Sequence, residues 1–178
     1  MKYFIIFILL TLVSCKKNNA IRVENDRESG STITIRNYSR EAFNLKGELQ
    51  WTLKAKETYV YSGGEFTKLY TIYAENFEKG KRKSFITADR AEIDKKENKM
   101  KVMDNVVLKT LDGKRVEALE LVYDMEKETL HSDKDVVITT KGTVLRGEGL
   151  EADNSMNKYK ILKPKAVTSE GENPLKDK

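Results

Sequence analysis

Alternating apolar and polar residues dominate the chain from about residue 31 onwards. Segments such as TITIRNY, WTLKA, KLYTIYA, KSFITA and DVVITT place apolar side chains at every second position, which is the period of a half-buried β-strand. No stretch keeps a helical period over three turns, and Gly63-Gly64, Asp112-Gly113 and Lys141-Gly142 supply residues that tolerate tight turns. The pattern predicts an all-β protein.

The strands recur as a degenerate repeat. Asp94, Asp124 and Asp153 mark equivalent positions, Tyr61 occupies the same slot in an earlier copy, and the copies are spaced by 33, 30 and 29 residues. Apolar residues precede each marker at fixed offsets, and Ala or Gly always stands six residues before it. One strand-turn-strand unit cannot bury its apolar face alone, so stacked units are expected to share a core. We therefore predict an elongated folded sheet, or β-jelly roll, of stacked antiparallel strand-turn-strand repeats.

The longest apolar run, from Tyr3 to Val13, follows Lys2 at the N-terminus. Its 11 residues fit the apolar region of a secretory signal and are too few for a transmembrane helix, which takes about 20. The phrase Leu12-Val13-Ser14-Cys15 resembles the lipobox of bacterial lipoproteins, and Cys15 is the only cysteine of the chain. We predict lipid attachment at Cys15; a plain signal peptide with an incidental cysteine and a short uncleaved anchor are the alternatives.

These signals divide the chain into four segments. We predict a lipoprotein signal peptide at 1–14, a lipid anchor and polar tether at 15–30, a β-jelly roll at 31–167 and a polar tail at 168–178. The formal net charge is +5, with basic and acidic residues interspersed along the chain. This mild excess suits an anionic ligand or membrane, and a solvated surface explains it equally well. A secreted lipoprotein with no readable basic face is not expected to bind nucleic acid.

Residues that carry chemistry are scarce. His131 is the only histidine, so one chain cannot build a two-histidine metal site, and its neighbours Ser132 and Asp133 alternate between the two faces of a strand. The three repeat markers lack the dense ligand spacing of a calcium loop, and turn-initiating aspartates explain them more simply. We predict no enzymatic activity, no metal site and no cofactor, and we interpret His131 as a surface or turn residue.

The order of these strands resembles the LptC family, the periplasmic component of lipopolysaccharide export. The phrase GELQWTLKAKETYVY around Trp51 is similar to the opening of that family, and ITADRAEID is similar to one of its later units. The last unit ends in the family's Gly-x-Gly-Leu-x-x-Asp phrase at Gly147, Gly149, Leu150 and Asp153. The resemblance covers roughly residues 31–167, and OstA-like bridge and assembly domains share the same fold and repeat.

The resemblance implies a function in transport. An LptC-like protein receives lipopolysaccharide from an inner-membrane ABC transporter of the LptB/LptF/LptG type and passes it to an LptA-like periplasmic bridge. Members of the family commonly keep an N-terminal transmembrane helix, so a cysteine anchor implies a lipoprotein variant in the periplasm. The family's role favours the inner membrane, and Lys16 leaves the outer membrane open because it is not the aspartate that retains enteric lipoproteins. The alternatives are an LptA/OstA-like bridge and a structural β-repeat surface lipoprotein without lipid cargo.

A lipopolysaccharide carrier must shield acyl chains from water, so its candidate binding residues are those that the alternation turns inward. These candidates are Trp51, Leu53, Ala55, Val60, Leu69, Tyr73, Ile86, Ile93, Val106, Leu108, Val116, Tyr123, Val136, Ile138 and Leu150. Ordinary core packing is an equal alternative for each of them. The last apolar strand is the expected edge for a partner, through Ile161, Leu162, Ala166 and Val167, because no strand follows it and Pro164 suits an edge.

Overall fold

A computed structural model describes residues 28–169 of the 178-residue chain. The predictions for the signal peptide, for Cys15 and for most of the tether and tail lie outside the described residues. No helix within residues 28–169 has both the length and the apolar character needed to cross a membrane.

Nine β-strands occupy most of the described range, where β-branched and aromatic residues alternate with polar ones. A 3-10 turn at Ser62–Gly64 separates the second strand from the third. The strands are β1 (Ile33–Phe43), β2 (Leu49–Val60), β3 (Phe66–Glu78), β4 (Lys81–Asp94), β5 (Lys99–Thr110), β6 (Arg115–Asp124), β7 (Thr129–Thr140), β8 (Thr143–Asp153) and β9 (Tyr159–Ser169).

These strands form one sheet whose spatial order follows the chain from β1 to β9, and each strand pairs antiparallel with the next. The arrangement confirms the predicted all-β fold of consecutive strand-turn-strand units. Because no connection crosses over another strand, β1 and β9 are the two edges of the sheet. Each successive repeat unit therefore adds its strands at the same side of the sheet.

The repeat markers act as turn formers. The Asp94 Oδ1 accepts hydrogen bonds from the backbone N–H groups of Lys96 at 2.9 Å and Glu97 at 3.1 Å, and Asp124 makes the same pair of bonds in its own turn. Asp153 caps a longer turn with both carboxylate oxygens. The turn interpretation explains their spacing, and no group of His, Cys, Asp and Glu within residues 28–169 is arranged to hold a metal ion.

Each strand interrupts its alternation once, near its middle. Inward-facing residues that should be two apart are three apart at some of these points, as in Ala55 to Thr58 and Leu69 to Ile72. They are four apart in β5, from Val102 to Val106, and in β7, from Ser132 to Val136. The pairing registers of β4 to β9 shift in the same region. Thr71 sits at one such point with φ of 53°. An extra residue of this kind bends a strand, and the apolar side chains beyond the bend again point to the same side of the sheet. The interruptions therefore form a line of bulges across the sheet, here called the bend line.

The sheet folds along the bend line so that one face is turned against itself. Val116 and Leu121 lie on opposite sides of the line in β6, and both are 0% exposed although the described residues provide no second layer. The two halves of the sheet must therefore cover each other. The enclosed face is here called the inner face, and the opposite, largely polar face is the outer face.

Candidate functional site

The inner face contains most of the residues that the alternation turns inward. Thirteen of the fifteen predicted candidates belong to the apolar cluster or pack against it, and the exceptions are Val60 and Tyr73. Val60 is half-buried at the end of β2 and pairs with Ile33. The buried residues of the apolar cluster form a continuous apolar surface from β2 to β8 and the turn after β8.

The predicted inward orientation of Tyr73 is wrong. Tyr73 pairs with exposed Lys54, packs its ring 5.9 Å from that of Phe85, and donates a hydrogen bond of 2.8 Å to Glu75 Oε1 on the outer face. The physical reason lies at Thr71, whose φ of 53° interrupts the alternation so that Leu69 and Ile72 face the interior three positions apart. The side chain that replaces Tyr73 in the interior is Ile72.

Sequence reasoning also missed buried residues on the inner face. These are Ile72, Ala88, Ala91, Val102, Leu121, Leu130, Ala152 and Met156. The signal was present in the repeat, because Ala88 and Ala91, or Ala118 and Leu121, are three positions apart in every unit. A spacing of three inside a strand indicates a bulge, and it would have predicted the bend line.

The centre of the inner face is tightly packed. Val116, Leu121, Ile138 and Leu150 are completely buried. A Cβ added at Gly147 would overlap Ile161 Cγ2 and lie 2.6 Å from Lys163 O, so β8 and β9 approach each other at a distance that only glycine allows. The central strands thus hold the two halves of the sheet together.

The inner face opens at both edges of the sheet. Along β1 it continues through Tyr38 and Arg40, which pair with the core residues Ala55 and Leu53. It extends to Ile35 and Ile33, which pair with buried Thr58 and half-buried Val60. We call these residues of β1, together with Trp51, the β1 mouth. Ile33 is 55% exposed, so apolar surface reaches solvent there.

The opposite edge is a second opening, formed by Tyr159, Ile161 and Val167 and here called the β9 mouth. Tyr159 and Ile161 pair with buried Ala152 and Leu150, whereas Val167 is 65% exposed. A depression of about 500 Å³ lies at the ends of β7, β8 and β9, and its lining includes Leu130, Tyr159, His131, Lys158 and Lys160.

The predicted partner edge forms β9, the last of the described strands, which pairs within residues 28–169 only with β8. Ile161 and Val167 belong to the inner face, while Ala166 pairs with exposed Arg146 and belongs to the outer face. Leu162 is 38% exposed, and its side chain approaches the position of a Cβ at Gly149. An edge of this kind presents unpaired backbone groups to another strand. Binding of a partner there remains a prediction.

The N-terminal end of the described chain is fixed to the outer face by one carboxylate. Glu28 accepts hydrogen bonds from the Tyr61 hydroxyl at 2.7 Å, from Lys68 Nζ at 2.9 Å and from the Tyr70 hydroxyl. The bond from Tyr70, with those from Tyr61 and Lys68, lowers the pKa of Glu28 from 4.5 to about 2. Glu28 falls in the segment predicted as a polar tether, and we call this cluster the Glu28 clamp.

His131 takes part in no catalytic arrangement. Its Nε2 lies 2.6 Å from Asp133 Oδ1 on the same strand, and it is half-buried. Ser132 Oγ instead donates a hydrogen bond of 2.8 Å to the backbone oxygen of Glu120, which takes it away from the imidazole. His131 lies within β7 rather than in a turn, and its partly exposed side chain agrees with the interpretation of a surface residue.

Comparisons with known proteins give one match to a protein family. The model of the family described as "Lipopolysaccharide-assembly, LptC-related" matches residues 3–168. A comparison with curated protein sequences gives no match.

A solved structure shows the same fold. The chain is similar to LptH, the LptA-homologous periplasmic component of the lipopolysaccharide transport device of Pseudomonas aeruginosa, with a TM-score of 0.50 and 9% sequence identity. The similarity covers 67% of this chain and 92% of the LptH chain. At that identity the likeness concerns the fold, and it confirms an elongated β-jelly roll.

Proposed function

Because the chain belongs to the LptC family, which acts in lipopolysaccharide transport, we propose that it binds lipopolysaccharide acyl chains along its inner face. In this proposal the protein is held at the inner membrane by acylated Cys15. It receives its cargo from an inner-membrane ABC transporter of the LptB/LptF/LptG type and passes it to an LptA-like bridge. Members of this family are transport components rather than enzymes, in agreement with the prediction from sequence.

The observation that carries the proposal is the continuity of the inner face. One apolar surface crosses the sheet from β1 to β9, and it reaches solvent at Ile33 and at Val167. Acyl chains gain about 25 cal/mol for each Å² removed from water, and the gain does not depend on direction. A surface open at both ends therefore suits a carrier that takes up an amphiphile at one edge and releases it at the other.

The two edge strands supply the means of assembly. Among residues 28–169, no strand pairs with the outer sides of β1 and β9, and a strand added to either would extend the inner face into the next protein. Exposed apolar side chains at both mouths are costly in an isolated domain. Their presence supports a chain of jelly rolls in which each edge meets a partner.

Site-specific photo-crosslinking tests the binding surface. A photoreactive residue at Trp51 or Ile33, on the inner face, is expected to capture lipopolysaccharide in cells. The same residue at Lys54 or Thr34, which are exposed on the outer face of β2 and β1, is the matched control and should capture little.

Each result of that experiment has a distinct meaning. Equal labelling at all four positions would indicate adhesion to the surface and overturn the proposal. Labelling at none of them would favour a structural lipoprotein without cargo. A bridge protein of the LptA/OstA type would label like the proposed carrier, and it would be separated from it by the behaviour of Cys15.

Two further experiments address the anchor and the direction of transfer. Cys15→Ser is expected to abolish incorporation of radiolabelled palmitate, and unchanged incorporation would contradict the lipobox. A photo-crosslinker at Leu162 on β9 should capture the bridge protein, whereas one at Ser39 on β1 should not. Capture from Ser39 alone would reverse the direction proposed for the cargo.

A further inference from the structure

The β1 mouth carries a positive charge on an otherwise apolar surface. Arg40 pairs with Leu53 across the β1–β2 ladder, and Tyr38 pairs with Ala55, so both side chains share the inner face with these core residues. The Arg40 guanidinium carbon lies 5.4 Å from the centroid of the Trp51 ring. This stacking directs the charge along the inner face.

Within residues 28–169, Arg40 has no carboxylate partner, unlike three of the six arginines of that range. Arg82, Arg90 and Arg115 each pair with a carboxylate, namely Glu75, Asp104 and Glu117. No carboxylate of residues 28–169 forms an ion pair with Arg40, which is exposed. A guanidinium with this freedom presents several N–H donors in a planar fork, the geometry that matches a phosphate.

A polar atom inside the same end of the fold also lacks a partner. Thr58 pairs with Ile35 of the β1 mouth and with Leu69, and it is 1% exposed. Two buried hydroxyls, those of Thr58 and of Thr168 on β9, have no hydrogen-bond partner among the described residues, and only Thr58 lies on the inner face, because Thr168 pairs with Val144. Buried hydroxyls are normally bonded, so a polar atom of a ligand would satisfy one that is otherwise left over.

The β9 mouth offers no equivalent on its inner face. The inward residues Tyr159, Ile161 and Val167 are apolar or aromatic. Lys160 lines the nearby depression, but it pairs with Glu151 and alternates with the inward positions of β9. A charged group on the inner face therefore distinguishes the β1 mouth from the β9 mouth.

We propose that Arg40 and Trp51 form a subsite for the phosphate headgroup of an anionic amphiphile, at the β1 mouth. The acyl chains then lie on the apolar inner face while the phosphate stays at the edge, paired with Arg40. This inference rests on the proposed function, because it assigns the headgroup of the cargo to one end of the same surface. The chemistry required is a phosphate attached to a hydrocarbon chain.

Trp51 is the only tryptophan of the chain, so its fluorescence reports directly on the subsite. The full-length protein in uncharged dodecyl maltoside micelles would be titrated with diphosphoryl lipid A and with the same lipid after phosphatase treatment. The wild type should bind the phosphorylated form more tightly. Arg40→Gln should lose about fivefold to tenfold of affinity for that form alone, as expected for one charge-assisted contact.

Three variants serve as controls. Arg36→Gln removes the same charge from the same strand, but Arg36 lies on the outer face, opposite Glu57. Lys160→Gln removes a charge beside the β9 mouth, and Arg40→Lys keeps the charge without the planar fork. The first two should bind like the wild type, and Arg40→Lys should show an intermediate affinity.

Several results would overturn the subsite. One is an unchanged preference of Arg40→Gln for the phosphorylated lipid. Another is a loss of affinity in Arg36→Gln or Lys160→Gln as large as that in Arg40→Gln. The third is equal binding of both lipids by the wild type. Inorganic phosphate alone is also titrated as a control. If it produced the same saturating change in Trp51 emission at the same concentrations as the lipid, the site would bind the free ion rather than a lipid headgroup. If the wild type bound neither lipid, the proposed function itself would fail, which separates the two ideas.

Discussion

The two mouths of the folded sheet have similar backbones and different side chains. Each is an edge strand with an exposed apolar residue, Ile33 in β1 and Val167 in β9. The β1 mouth adds a cation stacked on an aromatic ring, whereas the β9 mouth is apolar and lies beside the close approach of β8 and β9 at Gly147. The difference shows that a repeated strand pattern can end in two chemically different edges, because the side chains of the first and last strands differ.

The largest expected effect on stability is a truncation in the buried centre of the inner face, compared with the same kind of truncation at a mouth. Leu150→Ala should lower the free energy of unfolding by about 3 kcal/mol, since it leaves a cavity among completely buried residues. Ile33→Ala, the same kind of truncation at a mouth, should cost below about 1 kcal/mol because the side chain is 55% exposed. Urea unfolding followed by Trp51 fluorescence measures both. Equal losses would mean that the β1 mouth is closed in solution.

The close approach of β8 and β9 should give the next largest effect. Gly147→Ala is expected to destabilise the protein by about 2 kcal/mol, because its methyl group would meet Ile161 and a backbone oxygen. Gly80→Ala is the control, since its added Cβ meets nothing within 4 Å and pays only for a positive φ. If both variants lost the same amount, the contact at Gly147 would not be tight.

The Glu28 clamp should contribute less, and its contribution should depend on pH. Glu28→Gln is expected to cost about 1.5 kcal/mol at pH 7, the value of hydrogen bonds to a charged group. Folding lowers the pKa of Glu28 from 4.5 to about 2, so the carboxylate stabilises the fold above pH 4.5 and loses this effect as the pH falls towards 2. The gap between wild type and variant should therefore narrow between pH 5 and pH 2. A constant gap over that range would show that the clamp does not form.

Arg40→Gln should change stability least. The side chain is exposed and has no ion pair among the described residues, so its replacement should alter the free energy of unfolding by no more than about 0.5 kcal/mol. Arg90→Gln, which removes an exposed pair with Asp104, should behave similarly. Urea titrations of the two variants check this, and a large loss in Arg40→Gln would assign the residue to folding rather than to binding.

Much of the fold was predictable because the alternation within each strand and the spacing of the repeat units are visible in the sequence. Alternation predicted strands, and the spacing of Asp94, Asp124 and Asp153 predicted the turns that their carboxylates cap. The bulges were not predicted, and the error at Tyr73 follows directly, because the interruption of the alternation at Thr71 reverses every later assignment on β3.

The candidate site was harder to predict than the strands. Alternation correctly turned Leu53, Val116 and Leu150 inward, but it has no means of separating a packed centre from an open mouth. That distinction depends on which strand lacks a neighbour. The stacking of Arg40 on Trp51 and the contacts of Glu28 also join residues on different strands or segments. No local sequence pattern predicts contacts of this kind.

The strict agreement between spatial order and chain order has a consequence for the speed of folding. Every strand pairs only with its sequence neighbours, so each step closes a short loop and loses little chain entropy. All-β proteins with distant pairings fold slowly, whereas low contact order favours rapid folding. An unfolded chain can therefore form the sheet stepwise, by pairing each strand with its neighbour in the sequence. It would spend little time with its long apolar strands exposed to aggregation.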